Sequence, residues 1–202
     1  MRRLVLLPLV ALFLFGCLES VTTCPPPRLS RYSDDLSAPD SLLADLKISY
    51  ERREIDQYSN LFAEDFTFVF QPGEGADEFP DGWAWAQDSL STESMFRSFE
   101  VVEIRLSWTW DDPVDALWKG EPTLRVRLND VRLDVEKMDG VIYRVTETLQ
   151  DFHFRLGKES LGEDSRRYYI VGWQEFPKTF APAGATPDPE TTSWGYIKGL
   201  FL

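Results

Sequence analysis

Leu124-Arg125-Val126-Arg127-Leu128-Asn129-Asp130-Val131-Arg132-Leu133-Asp134-Val135 alternates apolar and polar side chains, yet the apolar ones hold even numbers up to Leu128 and odd numbers from Val131. Successive side chains of a strand point to opposite faces, so a strand cannot change parity without an extra residue. Asn129-Asp130 therefore reads as a bulge. Asp139-Gly140 is a strong hairpin turn. The return strand runs through Val141, Tyr143, Val145, Glu147 and Leu149, then shifts to Phe152, Phe154 and Leu156, which puts a second slip near Gln150-Asp151. Facing bulges in two long antiparallel strands bend a sheet strongly.

Outward from this hairpin, Val102, Ile104, Leu106, Trp108 and Trp110 share one strand face, and Tyr168 to Phe176 makes a last strand. Upstream, Pro39-Asp40-Ser41 starts a helix that carries Leu42, Leu43, Leu46 and Tyr50 at helical spacing to about Arg53. A second short helix begins at about Ile55. Phe66, Phe68 and Phe70 alternate in a first strand ended by Pro72-Gly73. Ser91-Thr92-Glu93-Ser94 offers hydroxyl caps for a short helix through Met95, Phe96 and Phe99. Helices first and strands after give an α+β design, a strongly bent antiparallel sheet with the N-terminal helices packed on its concave face. Trp194, Ile197, Leu200 and Phe201 suit a short terminal helix that docks on the body.

The N-terminus gives an address. Met1-Arg2-Arg3 is positive, Leu4 to Phe15 is apolar, and Gly16 precedes Cys17. That order is a secretory signal, and the run is shorter than the roughly 20 apolar residues of a spanning helix. Leu14-Phe15-Gly16-Cys17 resembles the lipobox of a bacterial lipoprotein, which implies cleavage before Cys17 and a thioether-linked diacylglycerol on it. The alternative is an ordinary secretory signal with a chance cysteine. The domain reading is a signal peptide over 1–16, a tether over 17–39, a folded body over 40–176 and a tail over 177–202. Leu18 after the lipidated cysteine resembles signals for outer-membrane delivery, which puts the body in the periplasm of a two-membraned cell.

With 34 acidic against 21 basic side chains the net charge is −13. Such a surface repels phosphate backbones and anionic headgroups, so nucleic acid is excluded as a partner and membrane attachment falls to the acyl chains. Cys24 beside Pro25-Pro26-Pro27 is either idle or paired between molecules. One histidine and one spare cysteine make no recognisable metal cluster, and no cofactor motif is present.

Two N-terminal helices, a strand, a third helix and four long bent strands follow the element order of the NTF2-like fold. Tyr50-Glu51-Arg52-Arg53-Glu54-Ile55-Asp56, then Leu61-Phe62-Ala63-Glu64-Asp65-Phe66-Thr67, resembles the opening of SnoaL-like and ketosteroid-isomerase-like members. The resemblance covers residues 40–176 and implies a cone with an interior site. In the isomerases a tyrosine, a protonated acid and a carboxylate base fill that site. The corresponding places here fall on Leu46, on Phe152 and on Phe70 or Gln71. None handles a proton, so the isomerase chemistry does not carry over.

The remaining candidates each have a plainer reading. His153 and Asp151 share a strand face and suit a base with its orienting acid, or else a solvated outer face. Asp65 suits a general base at the cone mouth, or else a turn carboxylate. Phe68, Phe70, Trp108, Trp110, Phe152, Phe154 and Trp173 line a pocket for a small hydrophobic ligand if the cone is open, and form core if side chains and the C-terminal segment fill it. Asp77-Glu78, Asp81, Asp111-Asp112 and Asp115 lack the alternating pattern of a calcium loop and read as acidic surface. The functional expectation is a lipid-anchored envelope protein that binds or scaffolds, through a small ligand, a homodimer or an envelope partner. The alternative is a SnoaL-like isomerase, cyclase or hydrolase with a rearranged acid/base site.

Overall fold

A computed structural model describes residues 32–71, 79–146, 148–177 and 193–202. The signal, Cys17, Cys24, the tether up to residue 31, Asp77-Glu78 and most of the segment after Pro177 lie outside the described residues.

Helix α1 (Pro39–Arg52) begins on a proline, whose fixed φ and missing N–H suit a first turn. Its buried face carries Leu42, Leu43, Leu46 and Tyr50. It stops where Arg53 turns left-handed at φ 57°, and the Arg53 guanidinium donates to the Val101 carbonyl at 2.6 Å, tying the helix end to the sheet. Helix α2 (Ile55–Ser59) follows, then β1 (Phe62–Val69), the short β2 (Trp83–Ala84) and α3 (Trp85–Arg97). Helix α3 starts six residues before the expected cap. Ser91 and Thr92 are therefore buried in mid-helix, and Phe99 lies beyond the end, 84% exposed.

The remaining strands are β3 (Val101–Trp110), β4 (Val114–Trp118), β5 (Glu121–Lys137), β6 (Ile142–Val145), β7 (Thr148–Leu156) and β8 (Tyr168–Pro177), with α4 (Trp194–Gly199) last. They form one eight-stranded sheet in the order β2-β1-β8-β7-β5-β3. The long β5 is flanked by β3 and β4 along one edge and by β6 and β7 along the other. The sheet is mixed, which corrects the antiparallel expectation: β1 pairs parallel with β8 through Thr67–Gly172, Phe68–Trp173 and Val69–Gln174.

The first bulge stands where the parity placed it. Asp130 is left-handed at φ 50°, and the β3–β5 register shifts between Ser107 and Thr109. Val126 and Leu128 before it, and Val131, Leu133 and Val135 after it, all enter the core. The second slip lies between Val145 and Thr148, not near Gln150-Asp151. Val145, Thr148, Gln150, Phe152 and Phe154 are all buried, and Leu128–Gln150 and Leu133–Val145 are aligned pairs on either side of the break. A further shift at the start of β3 buries Val101 and turns Val102 outward.

Strand β4 and its turn are an addition to the expected elements. The turn at Lys119-Gly120, with Lys119 at φ 49°, lays the hairpin tip across the outer face of the sheet. There Thr67, Gly172, His153 and Arg125 are neighbours in adjacent strands. The Trp118 ring lies 4.4 Å from the His153 ring, and Lys119 Nζ donates to Thr67 Oγ1 at 2.7 Å. A Cβ at Gly172 would sit 2.3 Å from the Trp118 indole, so only glycine lets this ring lie flat on β8.

Candidate functional site

The inner face of the sheet and the helices enclose a cluster of rings. Phe66, Phe68 and Phe70 enter from β1 and the residue after it, Phe152 and Phe154 from β7, Trp173 from β8, Tyr50 from α1, Tyr58 from α2 and Phe96 from α3. Edge-to-face contacts join Tyr50 to Tyr58 at 5.5 Å, Tyr50 to Phe96 at 5.2 Å and Phe68 to Trp173 at 5.2 Å, an arrangement that the ring quadrupoles favour.

The terminal helix α4 enters this cluster. Trp194 packs edge-on against Trp173 at 4.7 Å and Tyr50 at 5.2 Å, and its indole N–H donates to the Tyr50 hydroxyl at 3.0 Å. A Cβ on Gly195 would lie 2.5 Å from the Phe70 ring, so the helix backbone rests directly on the side chains of the first strand. Glu175, which shares the inward face of β8 with Trp173, accepts the Trp194 and Gly195 N–H groups at 2.9 and 3.2 Å and the Gln150 amide at 3.1 Å. Ser91 donates to the Lys198 carbonyl from α3.

One turn further on, Lys198 extends into the aromatic cluster and reaches Asp88 of α3. Both residues are 0% exposed. Lys198 Nζ donates to Asp88 Oδ1, while the Tyr58 hydroxyl donates to Asp88 Oδ2 at 2.5 Å. The ammonium also lies 3.3 Å from the Tyr58 oxygen, 4.4 Å from the Trp173 ring centre and 4.9 Å from that of Phe68. Burial pulls the Lys198 pKa down, and the Asp88 carboxylate opposes that pull. Burial likewise raises the Tyr50 and Tyr58 hydroxyls above their ordinary range, with the Asp88 charge adding to it.

The expected site residues separate into distinct environments. Phe68, Phe70, Phe152, Phe154 and Trp173 are buried in the cluster, Trp108 packs partly buried against it, and Trp110, opposite Leu128 at the end of β3, is 45% exposed and does not join it. Leu46, Phe70 and Phe152, the places of the isomerase groups, are apolar and buried. Asp65 lies within β1, not at the cone mouth, and accepts two hydrogen bonds from Arg155 at 2.8 and 2.9 Å. Burial works against its charge, but the Arg155 bonds and charge prevail and hold its carboxyl below the usual range.

Asp151 and His153 face outward as expected, yet they are only 3% and 5% exposed, His153 lying under the Trp118 ring and Asp151 against Arg127 and Arg125. This corrects the solvated reading. They do not form a pair: Asp151 receives two bonds from Arg127 at 2.7 Å each, and His153 Nδ1 lies 3.1 Å from Thr123 Oγ1. Burial lowers the His153 pKa from 6.5 to about 4, with Asp151 opposing and Arg125 adding to the shift.

The interior polar groups Asp88, Glu175 and Lys198 escaped the sequence reading, although each stands at a core position of its own element. Asp88 shares a helix face with Ser91, Thr92 and Met95, Glu175 alternates with Trp173, and Lys198 follows Trp194 by one turn. Among the described residues no group of three or more His, Cys, Asp and Glu side chains gathers to hold a metal.

No protein-family model matches the chain, and no curated protein matches it. Solved structures do resemble it. A nuclear transport factor 2 (NTF2-like) superfamily protein from Salmonella enterica serovar Typhimurium LT2 aligns with TM-score 0.48 and 10% identity over 72% of this chain and 92% of that one. ActVI-ORFA from Streptomyces coelicolor aligns with TM-score 0.43 and 12% identity over 68% and 90%. An NTF2-like protein of unknown function in nutrient uptake from Rhodospirillum rubrum ATCC 11170 aligns with TM-score 0.41 and 17% identity over 67% and 94%. At these values the likeness transfers no residue's role. The chain's own architecture is a curled mixed sheet with helices against its inner face, an α+β arrangement similar to that of NTF2-like proteins.

Asp88→Asn and Lys198→Met each leave one partner of a buried ion pair alone, and each lowers unfolding stability by about 3–5 kcal/mol. The double variant loses clearly less than the sum in urea unfolding; additive losses would mean that the two groups do not interact. Between about pH 6.5 and 4 the unfolded chain takes up a proton that native His153 refuses, so stability falls as pH drops through that window. His153→Gln flattens this part of the stability–pH curve, whereas identical slopes in both proteins would contradict the assignment.

Proposed function

We propose that the protein is a membrane-tethered binding or scaffolding module of the cell envelope, with a cone closed in its resting form by its own C-terminus. The observation that carries this reading is the placement of Trp194 and Lys198 among the interior rings, with Asp88 and Glu175 both engaged by α4. An acid–base enzyme needs a group within hydrogen-bond reach of a bound substrate. Here the interior acids are occupied by a lysine and by helix N–H groups, and Asp65 and His153 lie outside the cone, one paired with Arg155 and the other under Trp118.

The tether rests on Leu14-Phe15-Gly16-Cys17. Two or more acyl chains, each buried methylene contributing about 0.8 kcal/mol, hold a chain firmly at a membrane, and the acidic body then acts at that surface on a second copy or on another envelope protein. Periplasmic display on an outer membrane fits Leu18 in a two-membraned host.

In a bacterial host fed a fatty-acid probe, the wild type takes up label and Cys17→Ser does not. The body released from its lipid then gives a native mass of one or two bare chains. An unlabelled wild type would remove the anchor, and a small hydrophobic molecule retained in the released body would contradict the closed interior.

A further inference from the structure

The surroundings of Lys198 Nζ have the composition of a ligand site. One carboxylate oxygen, Asp88 Oδ1, accepts its hydrogen bond, and the Tyr58 hydroxyl lies at 3.3 Å. Two ring faces stand around the charge, Trp173 at 4.4 Å and Phe68 at 4.9 Å, while Tyr58 meets it with its hydroxyl edge. Ring faces attract a cation within about 6 Å, most strongly when water is excluded. Asp88, Trp173, Phe68 and Tyr58 belong to four separate elements, α3, β8, β1 and α2, which meet at the centre of the cone. The cation comes from a fifth element, the six-residue helix α4, which follows residues 178–192, a stretch containing Pro182, Pro187 and Pro189.

We propose that the cone interior is a recognition site for a primary alkylammonium group, occupied in cis by Lys198 and available to an amine-headed apolar ligand in trans when α4 withdraws. This rests on the reading of the cone as closed by its own C-terminus and adds the chemistry of what replaces that segment.

The geometry selects among cations. A guanidinium binds a carboxylate best through both oxygens, but Asp88 Oδ2 already accepts from Tyr58 at 2.5 Å. A quaternary ammonium suits the rings and has no N–H for Oδ1. A primary ammonium satisfies both the carboxylate and the rings, and the Lys198 side chain that brings it there is itself an unbranched alkyl chain. Tethering makes Lys198 a strong competitor, because a linked ligand acts at high effective concentration. A free amine therefore engages the site when α4 is weakened or withdrawn.

Deleting parts of Lys198 and supplying the missing atoms tests this on the full chain. Lys198→Ala removes three carbons and the ammonium, which n-propylammonium restores. Lys198→Met keeps a stem of nearly full length and lacks the charged tip, which the ammonium ion restores. The expected result is a saturable rise in the melting temperature of Lys198→Ala, about 3–6 °C at tenfold excess over the dissociation constant. Propionate, n-propanol and potassium chloride at equal ionic strength give no such rise. Wild type, whose site is filled, and Asp88→Asn/Lys198→Ala, whose carboxylate is gone, do not respond.

Should Lys198→Ala fail to fold with or without amine, Lys198→Met carries the test, with ammonium raising its melting temperature and sodium not. An absent response in the folded variant, or an equal response in wild type or in the Asp88→Asn background, overturns the proposal. A failed rescue alongside the predicted Asp88–Lys198 coupling would leave the closed cone standing and remove only its amine selectivity.

Discussion

A lysine ammonium held at 0% exposure inside a shell of aromatic rings is the constraint on which the interior depends. Moving such a charge out of water costs several kcal/mol, and the cost is offset only when a counter-charge and further partners meet it in good geometry. Asp88, the Tyr58 hydroxyl and the faces of Trp173 and Phe68 meet those conditions together. Removing Asp88 or Lys198 leaves the other as an uncompensated buried charge. The pair therefore specifies one position for α4, and with Trp194 and Glu175 it decides that the cone is closed. Its contribution is to a single arrangement of the chain more than to net stability, since apolar side chains of similar volume often do as well or better.

The outer face applies a related principle with a different element. The hairpin between β4 and β5 covers His153, which would otherwise face solvent, and Arg127 grips Asp151 beside it. Gly172 provides the flat surface on which Trp118 rests, and Lys119 bonds to Thr67 two strands beyond His153. A histidine shielded in this way stays neutral well below its ordinary titration range, and Asp151 is held through both carboxylate oxygens by Arg127. Polar side chains that looked chemically available are thus used to hold sheet and hairpin together.

Much of this architecture was legible in the residues. The parity change at Asn129-Asp130 placed the bulge, the spacing of Leu42, Leu46 and Tyr50 placed α1, and Phe66, Phe68 and Phe70 placed the inward face of β1. Other features were not. The parallel pairing of β1 with β8 joins segments about a hundred residues apart, and no local pattern records it. The β4 hairpin has little signature in the residues, since Val114-Asp115-Ala116-Leu117-Trp118 is short and shows no clean alternation. Ser91 and Thr92 have the chemistry of caps, which masks the helical turn before them that carries Asp88. A charged residue at a core position is read by default as exposed. Only the three-dimensional meeting of Asp88, Glu175 and α4 shows otherwise, and that meeting is a tertiary fact with a weak signature in spacing.

The position of α4 is the central claim, and native-state hydrogen exchange addresses it most directly. The Trp194 and Gly195 N–H groups donate to a buried carboxylate, so they exchange only when α4 leaves the cone. The account predicts protection of these two amides within about tenfold of that in the central strands β7 and β8. Exchange at the rate of an unstructured chain, with the strands still protected, would contradict it.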